Sequence, residues 1–571
     1  MKPVFVLFHA GDLAVASKLG LGRGDARFVV FDPALVDKVT VAGLGPVHCV
    51  APPAGPDYAE RDAKAHAAAS ALESDLDAAL GPEWAGRSLR GWQHLNLFYL
   101  AFGLQWFDAL FAACADELGR LAAGAEVIVP VSDQAQLLYL PSFVTPVLLM
   151  QHLHRHGVAM RAYPYRANDA LRPPAPDLGE TAIAALEGLG DDWVLAHLPT
   201  CLYDAAYFDA ELQAAGRPVV RLKARYWDVE IQSAATLSWI EPEAQGEQAS
   251  DELRRRAEAP MAALRDRIET WLSGWLTAPS YRARQVDAIA DTYRMQLLTD
   301  QLLDDRLGPR PPARLLLSDH DTGWHGPLLA FAQRHRVPVL LLPHSKTSTD
   351  LDFPAPGATL LHHPVQGEAV LDLDGRRPQQ HLLDYPATLK FEPVPAQPLQ
   401  TVGLVLNGIS LSGIPVVDFP AYLAGIRRIV QWCRARGLTL ALRSRPGITL
   451  FHALAEHCEL RDEDLAGSGL GSMAEFAPRC DLALMYDAPT SAALELLQRG
   501  IPVINPVISR FTKRETGTIV PSVVPRIGLD EALRQLDELH ADPVSFHRLR
   551  REQFQRYVAL GTQALPLRAY L

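Results

Sequence analysis

The segment LLLSDHDTGWHGP, Leu315–Pro327, sets Asp319, His320, Asp321 and His325 within seven residues, directly after an apolar run. Two carboxylates one residue apart can clamp a divalent ion. One of them can instead take a proton from a hydroxyl or attack carbon. A third reading is local structure, a carboxylate capping the helix that follows. If the chain stays extended, Asp319 and Asp321 share a side, but Thr322–Gly323 predicts a turn at once.

Four other strings carry comparable chemistry. DAPTSAALELLQRGIPVI, Asp487–Ile504, ends a strand at Asp487 and opens a helix at Thr490–Ser491, with Glu495 in its first turns. Free N–H groups and hydroxyls at such a start make a phosphate seat, and an ordinary Ser/Thr cap is the plain alternative. LALRSRPG, Leu440–Gly447, places Arg443 and Arg445 on one strand face, where the guanidinium fork suits a phosphate; a surface salt-bridge pair is the alternative. VLNGISLSG, Val405–Gly413, is a strand followed by Asn407–Gly408, a turn that lets backbone N–H groups approach an anion. LLLPHSKTSTD, Leu340–Asp350, ends a strand on His344, Ser345 and Lys346, a cation and a hydroxyl that could bind an anionic sugar or supply an acid; a solvated turn is the alternative.

These positions share a setting. Each follows a short Val-, Ile- or Leu-rich run, and the runs alternate with helical patterns: PVFVLFH, ARFVVFD, EVIVPVS, WVLAHLP, PVVRLKA, RLLLSD and PVLLLPH, then TVGLVLNG, LTLALRSRP, DLALMYD and IPVINP. Buried strands alternating with helices imply parallel sheets covered on both faces, an α/β fold. LKFEPVPAQPLQ, Leu389–Gln400, holds three prolines and reads as a linker. Two Rossmann-like domains facing a cleft are expected: 1–389 and 401–528, joined by 390–400. A helical insertion falls at about 250–306, and a helical tail, 529–571, packs back on the first domain. Ligands of such sheets sit at the carboxyl ends of the strands.

The totals narrow the classes. The 571 residues exceed what one core serves, and the formal charge of −12 disfavours a nucleic-acid partner. Six scattered cysteines without a C-x-x-C pair suit neither a zinc site nor a disulfide framework and fit a reducing cytoplasm. Met1–Ala10 reads as a strand, not a secretory leader. LNLFYLAFGLQWFDALFAACA, Leu95–Ala115, is long enough to span a bilayer, but Asn96, Gln105 and Asp108 interrupt it, so a buried helix is expected. His152 and His156, four apart in QHLHRHG, are expected to be solvent-exposed, with no carboxylate partner. SDQAQ, Ser132–Gln136, and KARYWD, Lys223–Asp228, follow strands and could touch an acceptor.

Asp487–Ile504 resembles the nucleotide-binding helix and following strand of GT-B glycosyltransferases, which often carry two glutamates at the spacing of Asp487 and Glu495. The likeness is close over roughly the last third of the chain and architectural elsewhere. Arg445–Pro446 stands where sialyl- and Kdo-type members carry a His-Pro pair that meets the CMP phosphate, and it keeps the positive charge. His344–Ser345–Lys346 resembles a turn of bacterial retaining β-Kdo transferases, and Asp319-His320-Asp321 is similar to the acid-acid-Gly motif of GT-B sialyltransferases. The resemblance implies a glycosyltransferase that moves a CMP-activated acidic sugar, Kdo first, to a bacterial surface glycan or glycolipid. Asp319, nearest the strand end, is then the first choice as reacting carboxylate, with Asp321 and His344 as further catalytic candidates. Ser345, Lys346, Asn407, Gly408, Arg443, Arg445, Asp487, Thr490, Ser491 and Glu495 are the donor-binding set. Metal-binding D-x-D pairs belong to single-domain GT-A enzymes, so neither metal nor cofactor is implied. A cytoplasmic location follows, with peripheral membrane association left open. A UDP-sugar transferase or epimerase, a CDP-glycerol-type transferase and a non-catalytic scaffold remain alternatives.

Overall fold

The computed structural model describes residues 2–50, 58–132, 144–166, 175–198, 205–223, 235–237, 239–240, 247–318, 324–342, 357–362, 379–383, 397–406, 409–411, 414–415, 417–444, 451–465, 472–487, 492–508, 522–561 and 563–571. Three parallel sheets organise them. The first comprises β1 (Val4–Leu7), β2 (Arg27–Val30), β3 (Val47–Cys49), β4 (Val127–Ser132) and β5 (Met160–Tyr165), in the order β3-β2-β1-β4-β5.

A short ribbon of β6 (Ala175–Pro176) and β10 (Trp239–Ile240) lies outside the second sheet. That sheet holds β7 (Val194–His197), β8 (Val219–Leu222), β9 (Ala235–Leu237), β11 (Arg314–Ser318), β12 (Val339–Leu342), β13 (Thr359–His362) and β14 (Gln379–Leu382). Its order is β14-β13-β12-β11-β7-β8-β9.

The third has β15 (Thr401–Leu406), β18 (Thr439–Ser444), β19 (Leu482–Tyr486), β20 (Val503–Val507) and β21 (Arg526–Gly528), ordered β18-β15-β19-β20-β21, beside a small hairpin of β16 (Ser410–Leu411) and β17 (Ile414–Pro415). Strands such as VFVL, VLAH and LALMY are buried along their whole length, as sheets covered on both faces require.

The α/β reading holds, and residues 1–389 carry two of the three sheets where one Rossmann-like unit was expected. The cue was RPPAP, Arg172–Pro176, a second proline-rich break between strand–helix runs of identical texture. The two sheets are nevertheless fused. One continuous apolar core runs from Val6 and Val129 of the first sheet to Leu195 and Leu317 of the second. Its middle is helical: Tyr58–Ala78, His94–Ala122, and the insertion, which is three helices, Asp251–Glu258, Met261–Ser273 and Pro279–Leu307. A close approach fixes this junction. A Cβ on Gly326, in the helix His325–His335, would come 2.6 Å from the Cα of Trp92.

The helix His94–Ala122 is long and apolar enough to cross a membrane, and most of its apolar length is buried inside the protein. Its polar residues are partnered: Asn96 donates to Gln93 Oε1 at 2.7 Å, and Asp108 accepts from His152 at 2.8 Å. This corrects the expectation for His152, which is buried and held by Asp108; His156 is exposed as expected, but it too has a carboxylate partner, Asp116 at 2.8 Å. Both carboxylates come from a helix some forty residues earlier, which spacing on the histidine helix could not reveal.

The third sheet has its own core on each face. Helices Leu529–Ala541 and Pro543–Gly561 pack on it, through Leu536 and Phe546 on one face and Tyr557 on the other. The chain then returns to the second sheet. Leu565 N–H and the Tyr570 hydroxyl both donate to the Leu382 carbonyl, at 3.0 and 2.8 Å, and Arg568 binds Glu211 at 2.6 Å. Leu567 and Leu571 are buried in that sheet's outer core.

Candidate functional site

In a doubly wound sheet, ligands sit at the carboxyl edge where successive crossovers run in opposite directions. In the third sheet that place lies between β15 and β19. Leu406 is in register with both Ser444 and Tyr486, so three neighbouring strands end together. The positions next in sequence are Asn407, Arg445 and Asp487. Of the expected donor-binding residues, Arg443, Asp487 and Glu495 are described. Asn407, Gly408, Arg445, Thr490 and Ser491 lie outside the described residues, as do Asp319, Asp321, His344, Ser345 and Lys346.

Arg443 is the penultimate residue of β18 and is buried, on the face that carries Ala441, Val405 and Met485. The helix Ala492–Gln498 covers the same face and brings Glu495. Burial holds the guanidinium below its ordinary range, and the Glu495 charge pulls it back up. A buried arginine beside a half-buried glutamate is a cation kept at the strand end at an electrostatic cost, an arrangement expected where an anion is to be met.

Asp487 is placed differently. It is buried in a left-handed turn, φ 63°, and its Oδ1 accepts the N–H of Ile508 at 3.1 Å. Asn505 donates to the Asp487 carbonyl at 3.0 Å. Beneath it Tyr486 donates to the Tyr422 carbonyl at 2.7 Å, and the Tyr422 phenol is held far above its ordinary range by burial first and by Asp487 second. One Asp487 oxygen thus orders the exit of β20.

The switch point of the second sheet falls between β7 and β11, and β11 ends on Ser318, one residue before Asp319. Two buried histidines lie there. His325 Nε2–H donates to the Ser318 carbonyl at 2.9 Å, and His197 Nδ1–H donates to the Leu222 carbonyl at 3.0 Å. Their ring centres are 5.2 Å apart. His325 belongs to the Leu315–Pro327 segment; His197 is the last residue of β7, within the run WVLAHLP, and a polar side chain inside that apolar run was the available signal.

The first sheet also carries polar groups at its edge that the sequence pattern did not mark: His9, Asp12 and Tyr165. Burial raises the Asp12 carboxyl above its ordinary range, and His9 and the hydrogen bonds it accepts pull it back. Among the described residues no group of three or more His, Cys, Asp or Glu is arranged to hold a metal ion.

No protein-family model matches the chain, and no curated protein does. Among solved structures it is similar to the Streptomyces sp. SF2575 glycosyltransferase SsfS6, at 11% identity over 66% of this chain and 97% of that one, TM-score 0.31. It is similar to Acinetobacter baumannii MurG at 12% identity over 66% and 97%, TM-score 0.33. The spinosyn rhamnosyltransferase SpnG aligns at 13% identity over 66% and 98%, TM-score 0.31.

Proposed function

We propose that the chain is a glycosyltransferase that takes a sugar from a nucleotide donor held at the carboxyl edge of the third sheet. The observation that carries this reading is Arg443, a cation buried beside Glu495 where three strands end in register. Arg445, Thr490 and Ser491 come after those ends in sequence and supply further donors to a phosphate. Asn407 and Gly408 add backbone N–H groups. The donor is a CMP-activated acidic sugar, Kdo first, because the basic groups suit one phosphate plus one sugar carboxylate. The acceptor is a hydroxyl of a growing surface glycan or glycolipid, met on the cytoplasmic side.

Asp319, the residue that follows the end of β11 in sequence, supplies the reacting carboxylate. As a base it takes the acceptor hydroxyl proton while that oxygen bonds the anomeric carbon and CMP leaves. As a nucleophile it bonds that carbon itself as the CMP phosphate leaves, and the acceptor oxygen then displaces the carboxylate, its proton passing to the released phosphate. The return of the final residues onto the second sheet ties the donor unit to this one. His325, which binds the Ser318 carbonyl, fixes the exit of β11. Neither metal nor cofactor enters the scheme.

The direct test incubates CMP-Kdo with the protein and measures release of CMP, with and without glycan acceptors. Turnover is expected to fall at least a hundredfold in Asp319→Asn, with CMP binding retained. Turnover unchanged in Asp319→Asn removes the catalytic assignment, and turnover with UDP-sugars alone removes the donor.

A further inference from the structure

The transfer scheme uses the second and third sheets and leaves the first sheet's carboxyl edge unassigned. Beyond that edge lies Arg61, in the first turn of the helix Tyr58–Ala78 that follows β3. The neighbouring helix, His94–Ala122, fixes its place. Phe111 of that helix packs against Phe31 and Phe8, the residues that follow β2 and β1, with ring centres 5.0 and 6.3 Å apart. From there the helix runs down to the start of β4, so its earlier residues stand clear of the strand ends. Arg61 Nη1 donates to the Gln105 carbonyl at 3.0 Å, and its guanidinium carbon is 5.5 Å from the centre of the Trp106 ring. Gln105 precedes Phe111 by six residues, about 9 Å further out. Ligands of a parallel sheet sit in that zone.

Arg61 is only 8% exposed. A guanidinium carries five N–H donors and a full charge. Among the described residues the Gln105 carbonyl is its one hydrogen-bond acceptor, and its Nε is buried with no partner. The acid whose charge acts on it is Glu60, which is exposed and already bound to Lys64 at 2.6 Å. Burial lowers the guanidinium from its ordinary range, and Glu60 pulls it back. A carbonyl and a ring face offer partial charges, not a counter-ion, and a buried charge without one is costly. Arg87 and Arg334 show the usual solution in the same part of the chain: Asp300 lies between them, 3.0 Å from Arg87 Nε and 2.6 Å from Arg334 Nη2.

The guanidinium also leans toward a second positive group. His66 stacks on Phe98 at 4.0 Å and Glu73 meets His94 at 3.3 Å, so the two helices run antiparallel. Arg61, reaching Gln105 and Trp106, therefore leans back toward the start of its own helix, as helical side chains do. The first turn of a helix presents N–H groups without intrahelical acceptors and the positive end of the dipole. Cation and helix start converge, and what the place lacks is negative charge. A metal ion is repelled there, and a neutral ligand leaves the charge unanswered. The guanidinium fork pairs bidentately with a carboxylate or a phosphate.

We propose that Arg61 and the start of the helix Tyr58–Ala78 form an oxyanion site beyond the first sheet's carboxyl edge, which takes a phosphate or carboxylate group of a ligand. The site stands whether or not the third sheet takes CMP.

The test uses the full-length protein and calorimetric titration with inorganic phosphate and with malonate, against chloride at equal ionic strength, with CMP as a separate arm. Phosphate or malonate is expected to bind the wild type and to raise its thermal midpoint. That affinity should fall about 10- to 100-fold in Arg61→Met, and less in Arg61→Lys, which keeps the charge and loses the fork. Arg443→Ala should leave it unchanged. Without anions, the midpoint of Arg61→Met should equal or exceed that of the wild type, because an uncompensated charge has gone. The tighter of the two probes names the group as phosphate or carboxylate. Failure of both to bind, binding that survives Arg61→Met, or binding lost in Arg443→Ala instead overturns the proposal. A lower anion-free midpoint in Arg61→Met shows a guanidinium satisfied within the fold and overturns it as well. A CMP response that is absent, or that Arg443→Ala leaves intact, bears on the donor reading and leaves this one standing.

Discussion

Asp12 and Asp487 are the same residue in the same kind of place, a buried carboxylate just past a strand of a parallel sheet, yet they do different work. Asp12 gathers its own turn and a phenol from two strands away, and holds an imidazole at the surface. Asp487 turns to the backbone of the next strand's exit, and the charged group at that edge is Arg443. An acid at a strand end is therefore not a ligand group by position alone. Which neighbour it satisfies decides whether it shapes the scaffold or presents another side chain.

Four substitutions sharpen this contrast, from the largest expected effect to the smallest. Asp12→Ala strands one buried and one partly buried N–H group and a hydroxyl, and should cost about 3 kcal/mol, read as a lower midpoint in chemical denaturation. Asp487→Ala loses one backbone hydrogen bond and puts alanine at a left-handed φ, for about 2 kcal/mol; a loss as large as that of Asp12→Ala would erase the distinction. Asp12→Asn tests the charge. The folded protein raises the Asp12 pKa, so the folded state binds that proton more readily than the unfolded chain. Its contribution to stability is present below the ordinary value of 3.8 and is lost as pH rises through the folded value. The wild type should therefore lose stability across that window at about 1 kcal/mol per pH unit, and the stability–pH curve of Asp12→Asn should be flatter there; an unchanged slope would show that Asp12 is not the group. Asp487→Asn keeps an acceptor for Ile508 and suits a left-handed turn, so less than about 0.5 kcal/mol is expected. A larger loss would mean the charge itself matters there.

The same contrast explains what could be read in advance. The third edge was legible because its parts lie within strands and their immediate successors: an apolar run ending in Arg443, a run ending at Asp487, and Glu495 eight residues on. Pattern and adjacency suffice for that. The Asp12–Tyr165 contact joins residues 153 positions apart, and only the strand order β1-β4-β5 brings them together. His152 with Asp108 is the same case, a pair made by helix packing. The two-sheet make-up of residues 1–389 was hidden for another reason. One strand–helix rhythm serves both sheets, so the proline-rich break at Arg172–Pro176 stands between runs of identical texture, and helices on either side of it share one core. His197 and His325 fall between these cases: one was visible as a polar residue inside the apolar run WVLAHLP and the other as part of Leu315–Pro327, but their approach to 5.2 Å was not.

The central claim, that the third sheet's edge holds a CMP-linked donor through Arg443, is met most directly by nucleotide-induced thermal shift on the wild type and Arg443→Ala. Binding stabilises by mass action, and removing one charge-assisted contact should weaken CMP about 10- to 100-fold. A stabilisation by CMP that exceeds those by UDP and GDP, and that collapses in Arg443→Ala while the ligand-free transition stays high, is the expected result. A selective shift with UDP, or a CMP shift that Arg443→Ala leaves intact, would contradict it.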